Sequence, residues 1–271
     1  MCGICGIFNT VLDPLTHGER IGRMSQSLAH RGPDSQGEFK LPCLALAVRR
    51  LSIIDLETGE QPLRNEAGDV TVVFNGEIYN FRETRRKLEQ RGHCFRTQSD
   101  GEVIAHLYEQ HGPEFVRELN GMFAIALWDD RRKRLVLARD RAGEKPLYYW
   151  LENHTLVFAS EIKAILEYPE VSRRIDPEAV PQYLFYGYVP SPRTIFSHIK
   201  RLPAGHRMVV EGGGVRIESY WSLKDHLQGR KRPERSSPLR SSNDPSLLSE
   251  LRGRLREAVL SRLVSDVPLG V

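Results

Sequence analysis

One pair of segments constrains this chain more than any other feature. The apolar run Met122-Phe123-Ala124-Ile125-Ala126-Leu127-Trp128 is followed by Asp129-Asp130-Arg131-Arg132-Lys133 and then by a second apolar run over residues 134–138. Two such runs around a short polar turn predict an antiparallel hairpin, because each is too short for an ordinary buried helix and far too short to cross a bilayer. The pattern recurs: residues 148–150 and 155–159 flank a polar turn, and residues 207–210 and 215–218 flank Gly212-Gly213-Gly214. Residues 43–48 and 70–74 are further buried-strand candidates. Helices are fewer. Residues 81–90 follow Asn80 as a possible N-cap and stop at Gly92, and residues 102–110 follow Asp100 and stop at Gly112. Residues 177–186 start with Asp176 as cap and Pro177 at the first helical position. Strands in runs broken by a few helices predict an α+β layered domain, and 271 residues allow one large domain or one domain plus part of another.

Composition excludes several classes of function. A net charge of +4 spread over both signs gives no reason to expect nucleic acid. The N-terminus lacks a basic segment followed by an apolar core, so neither export nor membrane insertion is expected, and the reading is a cytoplasmic protein. No G-x-G-x-x-G or G-x-x-x-x-G-K-[ST] cradle for a nucleotide occurs. Cys2, Cys5, Cys43 and Cys94 are expected to be reduced. Cys2 and Cys5 form a C-x-x-C, yet no strand precedes it as in a redox motif, and it lacks the second pair that a zinc site requires.

Residues 229–243 are polar and basic and read as a solvated linker. Beyond them Pro245 opens a helix with Leu248, Leu251, Leu255, Val259 and Leu263 on one face. A single helix cannot bury such a stripe, so docking or self-association through residues 248–263 is expected, as for the first element of a second domain.

Chemistry points to the chain start. Removal of Met1, allowed by the small residue that follows, makes Cys2 a terminal nucleophile. Its own α-amine, with a pKa of roughly 7.7–8, can relay the thiol proton. Gly3 and Gly6 are expected to let backbone or substrate approach the thiol. The Asn75 side-chain amide and the Gly76 N–H supply two oxyanion donors. Arg50 suits the carboxylate of an α-amino acid and Asp100 its ammonium. Each fragment alone has a plainer reading as a turn, a surface charge or a helix cap; together they supply everything that attack on an amide needs.

As a set the motifs are highly specific. M-C-G-I-C-G-I-F at the start, H-R-G-P-D (30–34), R-L-S-I-I-D (50–55), N-G-E-I-Y-N (75–80), S-D-G-E (99–102) and G-M-F-A-I-A-L-W (121–128) resemble the class II, N-terminal nucleophile glutamine amidotransferases in order and spacing. R-D-R-A-G-E-K-P-L-Y-Y (139–149) and A-S-E-I-K-A-I-L (159–166) narrow the resemblance to the glutamine-hydrolysing asparagine synthetases. It implies a four-layer α/β/β/α sandwich of two antiparallel sheets. It also implies L-glutamine as substrate and Cys2 as the nucleophile that forms a glutamyl thioester. Arg50 would bind the α-carboxylate, with Leu51, Ile53 and Ile54 lining that wall. Asn75 and Gly76 would form the oxyanion hole, and Glu77 and Asp100 would hold the α-amino group.

In that family, ammonia then serves ATP-dependent amidation of aspartate, and full-length members often form homodimers. The S-D-V-P-L-G-V of residues 265–271 is followed in such synthetases by a pyrophosphate-binding loop that this sequence does not contain. The expected organisation is therefore a glutaminase domain over residues 2–221, a linker over 222–244 and the first helix of a truncated synthetase domain over 245–271. The glutaminase reaction needs no cofactor or metal; ATP and Mg2+ are expected only with the rest of the synthetase domain. Other expectations compete: a homologue amidating another carboxylate in a polysaccharide or antibiotic pathway, or an inactive scaffold. The 265–271 tail argues against glucosamine-6-phosphate synthase and amidophosphoribosyltransferase.

Overall fold

The computed structural model describes residues 2–9, 14–229, 245–268 and 270. Along the chain the strands are β1 (Gly3–Asn9), β2 (Ser35–Leu41), β3 (Leu44–Arg50), β4 (Leu63–Arg64), β5 (Val70–Ile78), β6 (Gly121–Asp129), β7 (Arg134–Arg139), β8 (Tyr148–Glu152), β9 (Thr155–Ala159), β10 (Ile199–Arg201), β11 (His206–Glu211) and β12 (Gly214–Ser219). The helices are α1 (Pro14–Ser27), α2 (Phe81–Glu89), α3 (Glu102–His111), α4 (Ile162–Ile165), α5 (Ala179–Tyr186), α6 (Leu223–Gly229) and α7 (Pro245–Leu260). Two six-stranded sheets form, in the orders β10-β8-β9-β1-β3-β2 and β12-β11-β7-β6-β5-β4. Every strand pair is antiparallel.

Strand alternation decides what faces what. In β1, Ile4 and Phe8 point between the sheets, where Leu46, Trp128, Phe158 and Met208 also meet, while Cys5 and Ile7 point outward to Ile21 and Met24 of α1 and Ala164 of α4. In β5, Val73 faces inward, whereas Val72 and Phe74 face outward to Leu88 of α2 and Val103, Ile104 and Leu107 of α3. The molecule is thus a four-layer α/β/β/α sandwich with three apolar cores, as the resemblance implied.

The hairpins β6–β7, β8–β9 and β11–β12 are those the turns predicted. Several elements are new. β1 pairs with both β3 and β9 in the middle of its sheet, so Cys5 lies inside a strand and Cys2 just before one. Three residues apart on a strand means opposite faces, which is why the C-x-x-C brings no two thiols together. Asn80 does not cap α2; its Oδ1 accepts from Asn120 N (2.9 Å) and its Nδ2 donates to Glu118 O (2.9 Å). Helix α5 begins at Ala179 because residues 177–178 form a turn, in which Glu178 N donates to Asp176 Oδ1 (3.0 Å). Leu263 lies past the end of α7. Part of the expected linker is helical, as α6, and residues 230–244 lie outside the described residues, as does Met1. Among the described residues no helix is long and apolar enough to cross a membrane.

Candidate active site

Three strand ends meet at one rim of the sandwich. β1 and β3 run antiparallel with Gly3 opposite Arg49, so the start of one brings Cys2 beside the end of the other, which carries Arg50. Alternation puts Cys2 on the Ile4 face and Arg50 on the Val48 face, both toward the opposite sheet. From that sheet the end of β5 presents Asn75 and Glu77, on the face shared with Val73. Cys2, Arg50, Leu51, Ile53, Ile54, Asn75, Gly76, Glu77 and Asp100, every residue given a catalytic or glutamine-binding role from the sequence, line one cavity of about 280 Å3.

The Cys2 thiol is held by one residue: Leu51 N–H donates to Sγ (3.4 Å), and the thiol donates to Leu51 O (3.6 Å). Burial pushes this thiol above the ordinary cysteine range, although the Leu51 contact and the nearby Arg50 charge act the other way. Upstream motifs fix the strand that delivers it. Arg31 Nε donates to Cys2 O (2.9 Å) and Arg31 Nη1 to Glu161 Oε1 (2.9 Å), while Ile4 N donates to Ser160 Oγ (3.0 Å). The H-R-G-P-D and A-S-E motifs therefore act together as a clamp on the chain start. The Gly6 expectation is corrected: a Cβ there would lie 2.3 Å from the Phe158 ring, so this glycine admits a core aromatic and has no part in access to the thiol.

Arg50 is buried, and its Nη2 donates to Ile54 O (3.0 Å) and Asp55 O (2.6 Å). Its Nη1 lies 3.5 Å from Glu60 Oε1, a half-exposed carboxylate. The loop that holds Arg50 turns at Asp55, whose φ of 56° is left-handed, a conformation aspartate tolerates better than most residues. Asp55 is the hub of this wall. Its carboxylate accepts from Thr58 N (2.8 Å), Thr58 Oγ1 (2.6 Å) and Gln98 N (2.7 Å), and its own N–H donates to Asp266 Oδ2 (2.7 Å). Burial raises the Asp55 carboxyl, but these hydrogen bonds and Arg50 outweigh it and the net shift is downward.

On the other wall, Asn75 lines the cavity and is fully buried, and its Nδ2 has no hydrogen-bond partner. The Gly76 backbone lies so close to β6 that a Cβ would sit 2.0 Å from Met122 O. Asp100 does not cap α3; its Oδ2 accepts from Ile78 N (2.7 Å). Burial, joined by repulsion from Glu77, raises the Asp100 carboxyl to about 7, and burial also raises Glu77.

Gln61, Phe74, Ser99, Met122 and Lys145 complete the cavity and were not foreseen. Gln61 acts as a strand partner made of side chain: its Oε1 accepts from Phe74 N (2.8 Å) and its Nε2 donates to Phe74 O (3.1 Å), one residue before Asn75. Lys145 lies in the R-D-R-A-G-E-K-P motif, the one signal that pointed to it. Arg139 donates to Lys145 O (2.7 Å), Gly143 O (2.6 Å) and Leu202 O (2.8 Å), while Asp140 Oδ2 accepts from Lys145 N (3.0 Å) and Phe123 N (3.2 Å). Burial lowers the Lys145 ammonium, although Glu77 and Cys2 oppose that shift.

The family described as glutamine amidotransferase domain matches residues 1–221. Asparagine synthetase [glutamine-hydrolyzing] 1 of Bacillus subtilis is 36% identical over 273 residues, covering 100% of this chain and 41% of that protein. Asparagine synthetase [glutamine-hydrolyzing] 2 of Arabidopsis thaliana is 38% identical over 272 residues, covering 100% of this chain and 40% of that protein. The chain thus spans about two fifths of the length of these curated relatives. Among solved structures, the glutamine phosphoribosylpyrophosphate amidotransferase of B. subtilis superposes with a TM-score of 0.58 at 20% identity, over 81% of this chain and 49% of that one, a likeness of fold. With the family matched over the whole sandwich and its motifs gathered at one rim, the chain belongs to the glutamine amidotransferase domain family.

Proposed function

We propose that this chain hydrolyses L-glutamine to glutamate and ammonia at Cys2. One observation carries the reading: a thiol, an unpartnered buried amide, an arginine, the buried Asp100 carboxyl and the half-buried Glu77 carboxylate converge on a single cavity of about 280 Å3. With Met1 removed, the free α-amine of Cys2 takes the thiol proton as Sγ attacks the side-chain amide carbon. A thiol raised by burial needs that adjacent base. The Asn75 amide and the Gly76 N–H stabilise the oxyanion, the C–N bond breaks as ammonia leaves with the relayed proton, and a glutamyl thioester remains for water to cleave. Arg50 binds the substrate carboxylate, displacing its loose contact with Glu60, and Glu77 and Asp100 hold the ammonium.

The likeness to asparagine synthetases over the whole chain supports a larger role, in which the ammonia amidates aspartate at a second, ATP- and Mg2+-dependent site on the additional length those relatives have. Residues 2–221 would then be the glutaminase domain, 222–244 the connection and 245–271 the start of the synthetase domain, in a cytoplasmic enzyme. The hydrolytic half needs no cofactor. The test is glutamate release from glutamine by the purified chain beside its Cys2→Ala variant, after intact mass has shown that Met1 is gone. Activity lost in the variant is expected. Equal activity in both would overturn the assignment of Cys2, and none in the folded, processed chain would overturn a self-sufficient glutaminase.

A further inference from the structure

Away from the glutamine cavity, four side chains from three separate segments converge. Glu66 follows β4, His93 follows α2, and His106 and Glu109 lie on α3 three residues apart, hence on one helix face. His93 Nδ1 and His106 Nδ1 are 3.2 Å apart. Glu66 Oε2 lies 3.1 Å from His106 Nδ1, Glu66 Oε1 lies 3.7 Å from His93 Nδ1, and Glu109 Oε2 is 3.4 Å from both nitrogens.

Two imidazole nitrogens at that distance share at most one proton or one cation. Ligands held about 2.0–2.1 Å from a tetrahedral ion are themselves separated by roughly 3.3–3.4 Å, the spacing around which these four groups cluster. Two neutral imidazoles and two carboxylates also balance a divalent charge. Calcium and magnesium prefer all-oxygen cages, so the two nitrogens select a later transition metal.

A second, independent observation concerns what the cluster leaves unsatisfied. His106 is fully buried, and both His106 Nε2 and Glu66 Oε2 are buried with no hydrogen-bond partner. On the far sides of the rings, Glu102 Oε1 stands 3.7 Å from His106 Nε2, beyond hydrogen-bond distance, and the Gln110 amide nitrogen meets His93 Nε2 at 2.9 Å, its oxygen accepting from Arg91. The Phe95 ring, centred 4.2 Å from the His106 ring, shields the site on one side.

We propose that Glu66, His93, His106 and Glu109 bind one divalent transition-metal ion of the zinc type. The ion joins the turn after β4, the segment between α2 and α3, and α3 itself. Its role is structural. The segment it fixes continues into residues whose backbone is otherwise held by side chains: Arg96 N and Thr97 N each donate to Glu102 (both 2.8 Å) and Gln98 N to Asp55.

The test uses the chain after treatment with a chelator, titrated with Zn2+ against a chromophoric competitor and, separately, with Co2+. Binding of one equivalent is expected, together with a higher Tm and a tetrahedral Co2+ spectrum free of thiolate charge-transfer absorption. His93→Gln and Glu109→Gln, at partly exposed positions where the fold tolerates change, should each weaken Zn2+ binding by about 100-fold while leaving the metal-free Tm near that of the parent chain. Absence of stoichiometric binding by the folded parent chain would overturn the site. So would undiminished affinity in both variants, or a thiolate band assigning the metal to a cysteine.

Discussion

Asp100 is fully buried beside Glu77, and this raises its carboxyl to about 7, well above the roughly 3.9 of an unfolded aspartate. The folded chain therefore holds this proton more tightly than the unfolded one. Stability is greatest below about pH 4 as far as this group is concerned, and falls as pH rises toward 7. Asp100→Asn keeps an acceptor for Ile78 N but removes the titration. It should raise stability at pH 8 by on the order of 1–3 kcal/mol, a Tm gain of several degrees, with little gain at pH 4. The same change takes a carboxylate from the substrate ammonium, so KM for glutamine should rise about tenfold or more. Calorimetry at the two pH values and steady-state kinetics check both halves; an unchanged KM would remove Asp100 from the binding site. Asn75 is the complementary case. Its buried Nδ2 has no partner in the fold, so Asn75→Ala should cost little stability yet lower kcat by about 10²–10³, with KM within a few-fold. A loss confined to KM would mean that the amide binds substrate and does not stabilise the oxyanion.

At the scale of elements, the segment after α7 touches the site indirectly. Asp266 N donates to Ile53 O (2.9 Å) and Asp266 Oδ2 accepts from Asp55 N (2.7 Å), bracketing the loop whose carbonyls hold Arg50. Arg262 adds a guanidinium 4.7 Å over the Tyr79 ring, and Val264 packs on the outer core. Asp266→Ala should therefore loosen the carboxylate-binding wall and raise KM for glutamine several-fold with kcat nearly unchanged; a fall in kcat alone would contradict a positioning role. None of this was visible in the S-D-V-P motif, because a contact between residues 55 and 266 leaves no local pattern. The hairpins were legible because their strands are apolar runs closed by polar turns. β1 was not, since Gly-Ile-Cys-Gly-Ile-Phe-Asn is buried on both faces and shows no alternation. β2, an edge strand of alternating exposure, has a sequence too polar to announce itself. Helix α1 carries two glycines that mask its apolar face. The cavity residues found in advance belong to motifs with obvious chemistry. Gln61 acts on the Phe74 backbone and carries no such mark, Asp55 closes the R-L-S-I-I-D motif but works by ordering a loop, and the His93–His106 pair is split between a loop and a helix.

At the scale of the whole molecule, the described residues present two apolar surfaces that the three cores do not use. One is the stripe on α7, where Leu248, Leu251, Leu255 and Val259 are 43–58% exposed. The other is the end of α5 and the residues after it, where Tyr183, Leu184, Phe185, Tyr186 and Tyr188 are 53–80% exposed. Single exposed hydrophobics are ordinary, but two contiguous patches on one chain are not. Both lie beyond β9 in the sequence, outside the motifs that build the glutamine cavity, so covering them requires no change at Cys2. The curated relatives extend well past the length matched here, and we propose that in such a longer protein these surfaces pack against the synthetase portion. Studied by itself, the chain should then hide them by pairing with a second copy. Sedimentation is expected to show concentration-dependent self-association, and the double change Leu251→Glu, Leu255→Glu should shift the equilibrium toward monomer by about tenfold or more. Glutamate release per active site should be unaffected, because the α7 stripe lines no part of the glutamine cavity. A monomeric parent chain would mean that the α7 stripe is tolerated in water. Lost activity in the double variant would tie α7 to the site through the Asp266 contact and not to association.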